Sequence, residues 1–348
     1  MSRRTLHLLA AVTALLALGA GGWAWRTHNA DPSDPPPTLG VSSAIKFKKP
    51  RSQQRVGGLD VTFIVASDTH LGFDSDEHTL SGALHDPVKH PRGVELVNLQ
   101  SIRAMNAMPG RTSPFGDTIA RPRGVLISGD LTERGIPWQW RHFVLFYGLN
   151  GGDGLLDYPV FEGHGNHDKA ESWYVLDRIR ERHGDHFYSF DWDDLHLVCL
   201  GEAPDERAIR FLTQDLAAVG RQRPIVIYFH FPFRGPYSDN WFNRDGHPER
   251  LLDAVANYNV IAFFHGHYHA SGRYRHLGHD VYNVGAAKHD RHSFAVVRVT
   301  DTYLRVASFH HGLERFQWWH EKPINGAPGQ PRGDGIHENK GVLLEGDH

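Results

Sequence analysis

The chain has 348 residues, with 37 Lys and Arg against 40 Asp and Glu, for a net charge of −3. That length is enough to bury a sizeable core, and the near-neutral balance excludes the basic footprint of a dedicated nucleic-acid binder. A single cysteine excludes an intrachain disulfide framework. The compositional excess is histidine, at 26 residues.

Residues 1–26 read as a targeting segment. Arg3-Arg4 precede an apolar stretch from Leu6 to about Trp25, the pattern of a signal peptide or a retained N-terminal membrane anchor. Either outcome predicts an exported, periplasmic or otherwise extracytoplasmic protein. Ala17 and Gly19, or Gly22 and Ala24, suit a cleavage site, and Ser2-Arg3-Arg4-Thr5-Leu6 is a partial twin-arginine pattern. Residues 27–58 carry Asp34-Pro35-Pro36-Pro37 and the basic run Lys46 to Arg51. They have no helical or strand period and read as a linker, whose basic part offers a contact to a membrane surface.

From Leu59 the chain alternates between two patterns, and 59–320 reads as one catalytic domain. Short apolar runs at Val61–Val65, Gly124–Ile127, Tyr158–Phe161, Leu195–Leu200, Ile225–Phe229 and Val260–Phe264 predict strands covered on both faces. Between them, Val94–Met108, Trp138–Leu149, Glu171–Arg182, Glu206–Val219 and Pro248–Tyr258 predict helices, with Asp205 as an N-cap and Pro137 and Pro248 in first turns. Asp280–Val284, Ser293–Val299 and Tyr303–Phe309 follow as strands, the last two as a hairpin. Residues 321–348 are rich in Gly, Pro and charge and predict a disordered tail. Cys199 lies in an apolar run and predicts a buried thiol with no activating neighbour.

Five blocks of metal-ligand residue types each follow a predicted strand. They are Asp68-Thr69-His70, Gly129-Asp130, Gly165-Asn166-His167-Asp168, His230, and Gly266-His267-Tyr268-His269. Asp, Asn and His supply the oxygen and nitrogen atoms that hold divalent cations. Asp68 and His70 are two apart, as are His267 and His269, so in extended backbone each pair projects to one side. The glycines allow sharp turns and close approach.

Order and spacing together resemble the calcineurin-like metallophosphoesterase superfamily, over about Asp60 to Phe309. The resemblance implies an α/β fold, a four-layer α/β/β/α sandwich with two mixed β-sheets. It implies two divalent metal ions, manganese, iron or zinc. Asp68, His70, Asp130 and His269 would hold one; Asp130, Asn166, His230 and His267 would hold the other, with Asp130 bridging. His167 would serve proton chemistry, oriented by Asp168, while hydroxide between the metals attacks phosphorus. His164 and His265 adjoin the blocks without being ligand positions, and Glu133 reads as a helix-start residue. His70 and Glu133 stand where purple acid phosphatases have glycine and a tyrosine ligand, so the purple branch is not expected.

The expected activity is hydrolysis of a phosphate ester, a monoester before a diester of a nucleotide or phospholipid headgroup. The substrate choice stays open among a protein phosphoester, a nucleotide and a lipid headgroup. A non-catalytic binding protein on the same fold is the alternative of another class. Insertions after His70 and after His230 are candidates to wall the substrate. In the second, Arg234 or Arg244 would pair with a phosphate, although loop packing is the plainer role for its aromatic residues.

Overall fold

A computed structural model describes residues 57–73, 88–234, 242, 246–287, 292–325 and 330–332. All fall within one compact unit, Ala44–His348. The expected targeting segment, nearly all of the linker, Asp74–His78 of the first insertion, Arg244, and most of the tail lie outside the described residues. Among the described residues, no helix is long and apolar enough to cross a membrane.

The strands are β1 (Asp60–Ala66), β2 (Val125–Ile127), β3 (Val160–Glu162), β4 (Tyr188–Trp192), β5 (Leu195–Cys199), β6 (Ile225–Tyr228), β7 (Val260–His265), β8 (Ser271–His276), β9 (His279–Val284), β10 (Ser293–Thr300), β11 (Tyr303–His310), β12 (Arg315–Pro323) and β13 (Gln330–Arg332). The helices are α1 (Gly93–Asn106), α2 (Pro137–Tyr147), α3 (Tyr174–His183), α4 (Glu206–Val219) and α5 (His247–Val255). Seven strands form one sheet in the order β13-β12-β11-β10-β1-β2-β3, and six form a second in the order β4-β5-β6-β7-β9-β8. Both sheets are mixed: β1, β2 and β3 run parallel while β10 pairs antiparallel to β1. In the other sheet β5, β6, β7 and β9 run parallel between antiparallel edges.

Strand periodicity sorts the side chains into layers. Val61, Phe63 and Val65 face the core between the sheets, against Tyr188, Leu197 and Tyr228. Ile64 and Ala66, on the opposite face of the same strand, pack against Ile102, Phe143 and Ile179 of α1, α2 and α3. Ile225 and Ile227 of β6 face Leu212, Leu216 and Leu251 of α4 and α5. Three apolar layers separated by two sheets give the expected α/β/β/α sandwich. Cys199 is fully buried and unpaired, and burial pushes its thiol up to about 12.

The first sheet extends past the expected domain end at 320. β12 runs to Pro323 and β13 pairs with it, so part of the tail is strand. Alternation explains this: Trp318, His320 and Lys322 point inward, and Lys322 Nζ donates to buried Asp280 at 2.7 Å. Arg273 contacts the same carboxylate at 2.6 Å. Burial works against charge on Asp280, yet Lys322 and Arg273 hold its pKa at about 2. His320, whose Nδ1 shares a hydrogen bond with the Tyr282 hydroxyl at 2.8 Å, is lowered to about 3 by burial and by Arg273. His311 is lowered to about 3 by burial and by His292 and His310.

These groups set a pH dependence. The unfolded histidines bind protons below about pH 6.5 while the folded ones stay neutral to far lower pH, so the unfolded state holds more protons and stability is lost as pH falls. Asp280 adds a loss of the same sign as pH drops below about 4. The urea midpoint of chelator-treated protein is expected to be lower at about pH 4.5 than at about pH 6.5, with an unchanged slope. Equal midpoints would show that these buried groups do not differ from their unfolded state.

Candidate metal centre

The five blocks meet at the carboxyl ends of β1, β2, β3, β6 and β7, where open α/β sheets place their ligand sites. Asp68, His70, Asp130 and His269 bring their ligand atoms within 4.8 Å of one another, and so do Asp130, His230 and His267. Asp130 belongs to both sets. His269 Nε2 lies 3.2 Å from Asp68 Oδ1, and His230 Nε2 lies 3.1 Å from Asp130 Oδ2. His70 Nε2 is 3.5 Å from Asp130 Oδ2 and 3.1 Å from His269 Nε2.

Backbone conformation separates these residues from the rest. Asp68, His70, Asp130, His267 and His269 all have φ between 44° and 68°. Eight non-glycine residues among those described share this left-handed region, and five of them are these. The expectation of extended backbone at Asp68-His70 and His267-His269 is therefore corrected. The same-side projection comes from left-handed residues held by tertiary bonds. Asp68 N donates to Gly129 O and His70 N to Asp130 O, each at 3.0 Å, while His267 N donates to both Asp68 carboxylate oxygens at 3.1 and 3.0 Å. Such conformations each cost about 1–3 kcal/mol and persist where the surroundings over-determine them, most often at functional sites.

Two glycines are required by close approach. A Cβ on Gly165 would collide with the Asp130 carboxylate, and one on Gly266 would collide with Ser67 and with the Asp68 carboxylate.

The donor chemistry fits two divalent cations. Asn166 Oδ1 is buried without a hydrogen-bond partner, and neither His230 ring nitrogen makes a hydrogen bond. Buried polar atoms left without partners cost about 1–3 kcal/mol each unless something else satisfies them. A cation on the Asp130 side would satisfy Asn166 Oδ1 and one His230 nitrogen, in a set of oxygen and imidazole donors suited to manganese, iron or zinc. Burial disfavours a charged ring at His230, but the Asp130 carboxylate more than offsets this and raises it to about 9. His70 likewise rises to about 9 against its burial, through Asp68 and Glu133. His267 moves the other way, to about 3, through burial and the neighbouring His230.

The structure reassigns two residues. Asp168 does not orient the His167 ring. Its buried carboxylate accepts from Leu131 N at 3.1 Å, Thr132 N at 2.8 Å, Thr132 Oγ1 at 2.9 Å and Gly165 N at 2.9 Å. It is a strut tying the Gly-Asp loop to the Gly-Asn-His-Asp loop. The reason is local: residues 167–169 form a single 3-10 turn that directs Asp168 inward while His167 stays a third exposed, at 31%.

Glu133, read as a helix-start residue, precedes the helix, which begins at Pro137. Glu133 Oε2 lies 2.7 Å from His70 Nδ1, and its backbone oxygen accepts from His167 Nδ1 at 2.9 Å. A carboxylate and a carbonyl can only accept here, so both rings carry their proton on Nδ1 and leave Nε2 for other work. His70 Nε2 then faces Asp68, Asp130 and His269, free to ligate a cation. The signal in sequence was a carboxylate three residues after Asp130. E133Q is expected to weaken metal affinity or activity by about 10–100-fold, as loss of a partner behind a ligating histidine usually does. Metal titration and steady-state kinetics check it; wild-type values for both would remove this role.

The second insertion is partly packing. Phe233 and Phe242 are buried beside Phe229 and Phe263.

No protein-family profile and no curated protein matches the sequence. Solved structures do match in shape. GAP50, described as the anchor in the inner membrane complex of Plasmodium, is 9% identical and has a TM-score of 0.56, over 80% of this chain and 91% of that one. A dimetal phosphatase from Danio rerio is 15% identical with a TM-score of 0.50, over 77% of this chain and 99% of that one. A purple acid phosphatase from yellow lupin, Lupinus luteus, is 13% identical with a TM-score of 0.53, over 78% of this chain but 55% of that one. At these identities the likeness establishes the fold.

Proposed function

We propose that this chain, whose fold is that of the calcineurin-like phosphoesterases, is a dinuclear metal-dependent hydrolase of phosphate esters, with monoesters preferred. The observation that carries the reading is Asp130, shared by two ligand sets, five of whose six members sit in left-handed backbone.

Two divalent cations supply Lewis acidity toward a phosphoryl oxygen and make hydroxide accessible near neutral pH. The rest is done by the chain. Asp68, His70, Asp130 and His269 hold one side, and Asp130, Asn166, His230 and His267 hold the other. Asp130 Oδ1 also accepts from His167 N at 2.9 Å, which fixes the 3-10 turn against the site. His167 keeps its Nδ1 proton on the Glu133 carbonyl, so Nε2 of this partly exposed ring is the atom that takes up a second proton and, from the imidazolium form, delivers it to the departing alkoxide. Asp168 keeps the two loops at a fixed separation.

Full-chain protein loaded with manganese is expected to release nitrophenol from nitrophenyl phosphate faster than from bis(nitrophenyl) phosphate. The reverse order would make it a diesterase. No turnover of either ester by folded, metal-loaded protein would rule out the enzymatic reading and leave a binding protein on this fold.

A further inference from the structure

Beside the metal centre lies a second feature that the hydrolytic chemistry does not use, a cavity of about 550 Å³. It adjoins the Asn166, His230 and His267 side of the centre. His164 in its wall is two residues from Asn166, and Phe231 stands with its ring 4.1 Å from that of His267. The volume is that of a small-molecule pocket.

Its chemistry is mixed in a particular way. Trp173, Phe187, Phe231 and Phe242 provide aromatic surface, and Trp173 is 59% exposed. The Lys and Arg side chains of the wall are each matched by a carboxylate. Lys169 pairs with Glu202, Arg180 with Asp177 at 3.1 Å, and Arg207 with Asp185 at 2.8 Å. Compensated cations do not favour a second anionic group. His164 is 7% exposed, and its Nδ1 has no hydrogen-bond partner. Gly201 packs against the ring so closely that a Cβ there would stand 2.6 Å from His164 Cε1. The ring is thus held in place in the cavity wall, with its Nδ1 turned away from solvent toward Gly201.

We propose that this cavity holds the non-reacting part of the substrate, and that this part is an uncharged, planar, hydrogen-bonding ring of nucleoside type. Aromatic walls stack such a ring, the His164 side chain lines its edge, and the matched charges do not favour a further phosphate. The proposal rests on the phosphoesterase reading, which places the ester phosphate at the metal centre next door.

Adenosine and its 5′-monophosphate are the probes, used with the full chain. Calorimetry on chelator-treated protein is expected to detect adenosine binding. With manganese, adenosine monophosphate is expected to exceed glycerol 1-phosphate in kcat/KM by about tenfold or more, the scale of one base–aromatic stack. W173A removes an exposed ring and leaves the core intact; it is expected to weaken adenosine binding and the kcat/KM for adenosine monophosphate by about tenfold, with glycerol 1-phosphate unchanged. A203W, which fills the cavity from its wall, is expected to do the same. If nitrophenyl phosphate is hydrolysed while adenosine fails to bind and the two esters fall within about twofold, the cavity proposal is overturned and the hydrolase stands. If adenosine binds and W173A weakens it but no ester is hydrolysed, the nucleoside site stands, while its role in holding a substrate is overturned together with the catalytic reading.

Discussion

D130A is expected to strip the protein of both cations and of all activity above background. Asp130 is the member common to the two ligand sets, so its loss opens both at once. Its carboxylate also accepts from His167 N, so the 3-10 turn carrying the proton donor loses its tie to the site. Removal of one outer ligand such as His269 touches one set alone. Elemental analysis after dialysis is expected to give about two metals per chain for the wild type and fewer than one for D130A. Asp130 is 1% exposed and packed among His70 and His230, so folding of the variant is checked by circular dichroism beside the metal count. A folded D130A that retains two metals would show that the bridge is not where the geometry puts it.

For His167 the expected result is the opposite dissociation: kcat collapses while metal content stays. General acid catalysis by a positioned imidazole contributes about 10²–10⁴-fold, and H167A is expected to lose an amount in that range. The ring of His167 packs edge-on to His70, 4.7 Å between centroids, yet its Nδ1 is spent on the Glu133 carbonyl. The ligand sets built on Asp130 do not include it, although His70, Glu133 and His167 also cluster within ligand distance. The leaving group separates a proton donor from a general structural role. Nitrophenolate departs without help, whereas an alkoxide needs a proton, so H167A is expected to damage alkyl phosphate turnover more than nitrophenyl phosphate turnover. Equal losses on both, or a drop in bound metal, would reassign His167 to the ligand shell.

The parts that were legible in the sequence have a common cause. Strands covered on both faces are continuous apolar runs, so β1, β5, β6 and β7 stood out. Helix α4 carries its own punctuation, and Asp205 does accept from Ala208 N at 2.9 Å as its N-cap. β4, β8 and β12 were missed because they are written in a different alphabet. β8 reads Ser-Gly-Arg-Tyr-Arg-His and exists through its pairing with β9 and the burial of Arg273 against Asp280. β12 buries alternate residues that include His320 and Lys322, which by type belong at a surface.

At the site, the residues that the structure gathers into ligand-type clusters are legible because the chemistry of cation binding restricts their type. What Asp168 and Glu133 contact is set by the register of loops far apart in sequence. Asp168 meets Leu131 and Thr132, and Glu133 meets His70, across separations of 36 to 63 residues. Adjacency to His167 pointed to Asp168, but adjacent residues on a 3-10 turn diverge.

The left-handed ligands set stability against retention of the site. Glycine at Asp68, His70, Asp130, His267 or His269 would relieve a backbone conformation that L side chains rarely adopt. A screen that rewards heat resistance alone would not register the loss of these side chains wherever the strain relieved offsets the contacts removed. Any effort to harden this protein must select for bound metal at every round, because relieving strain at these positions removes the side chains that form the site.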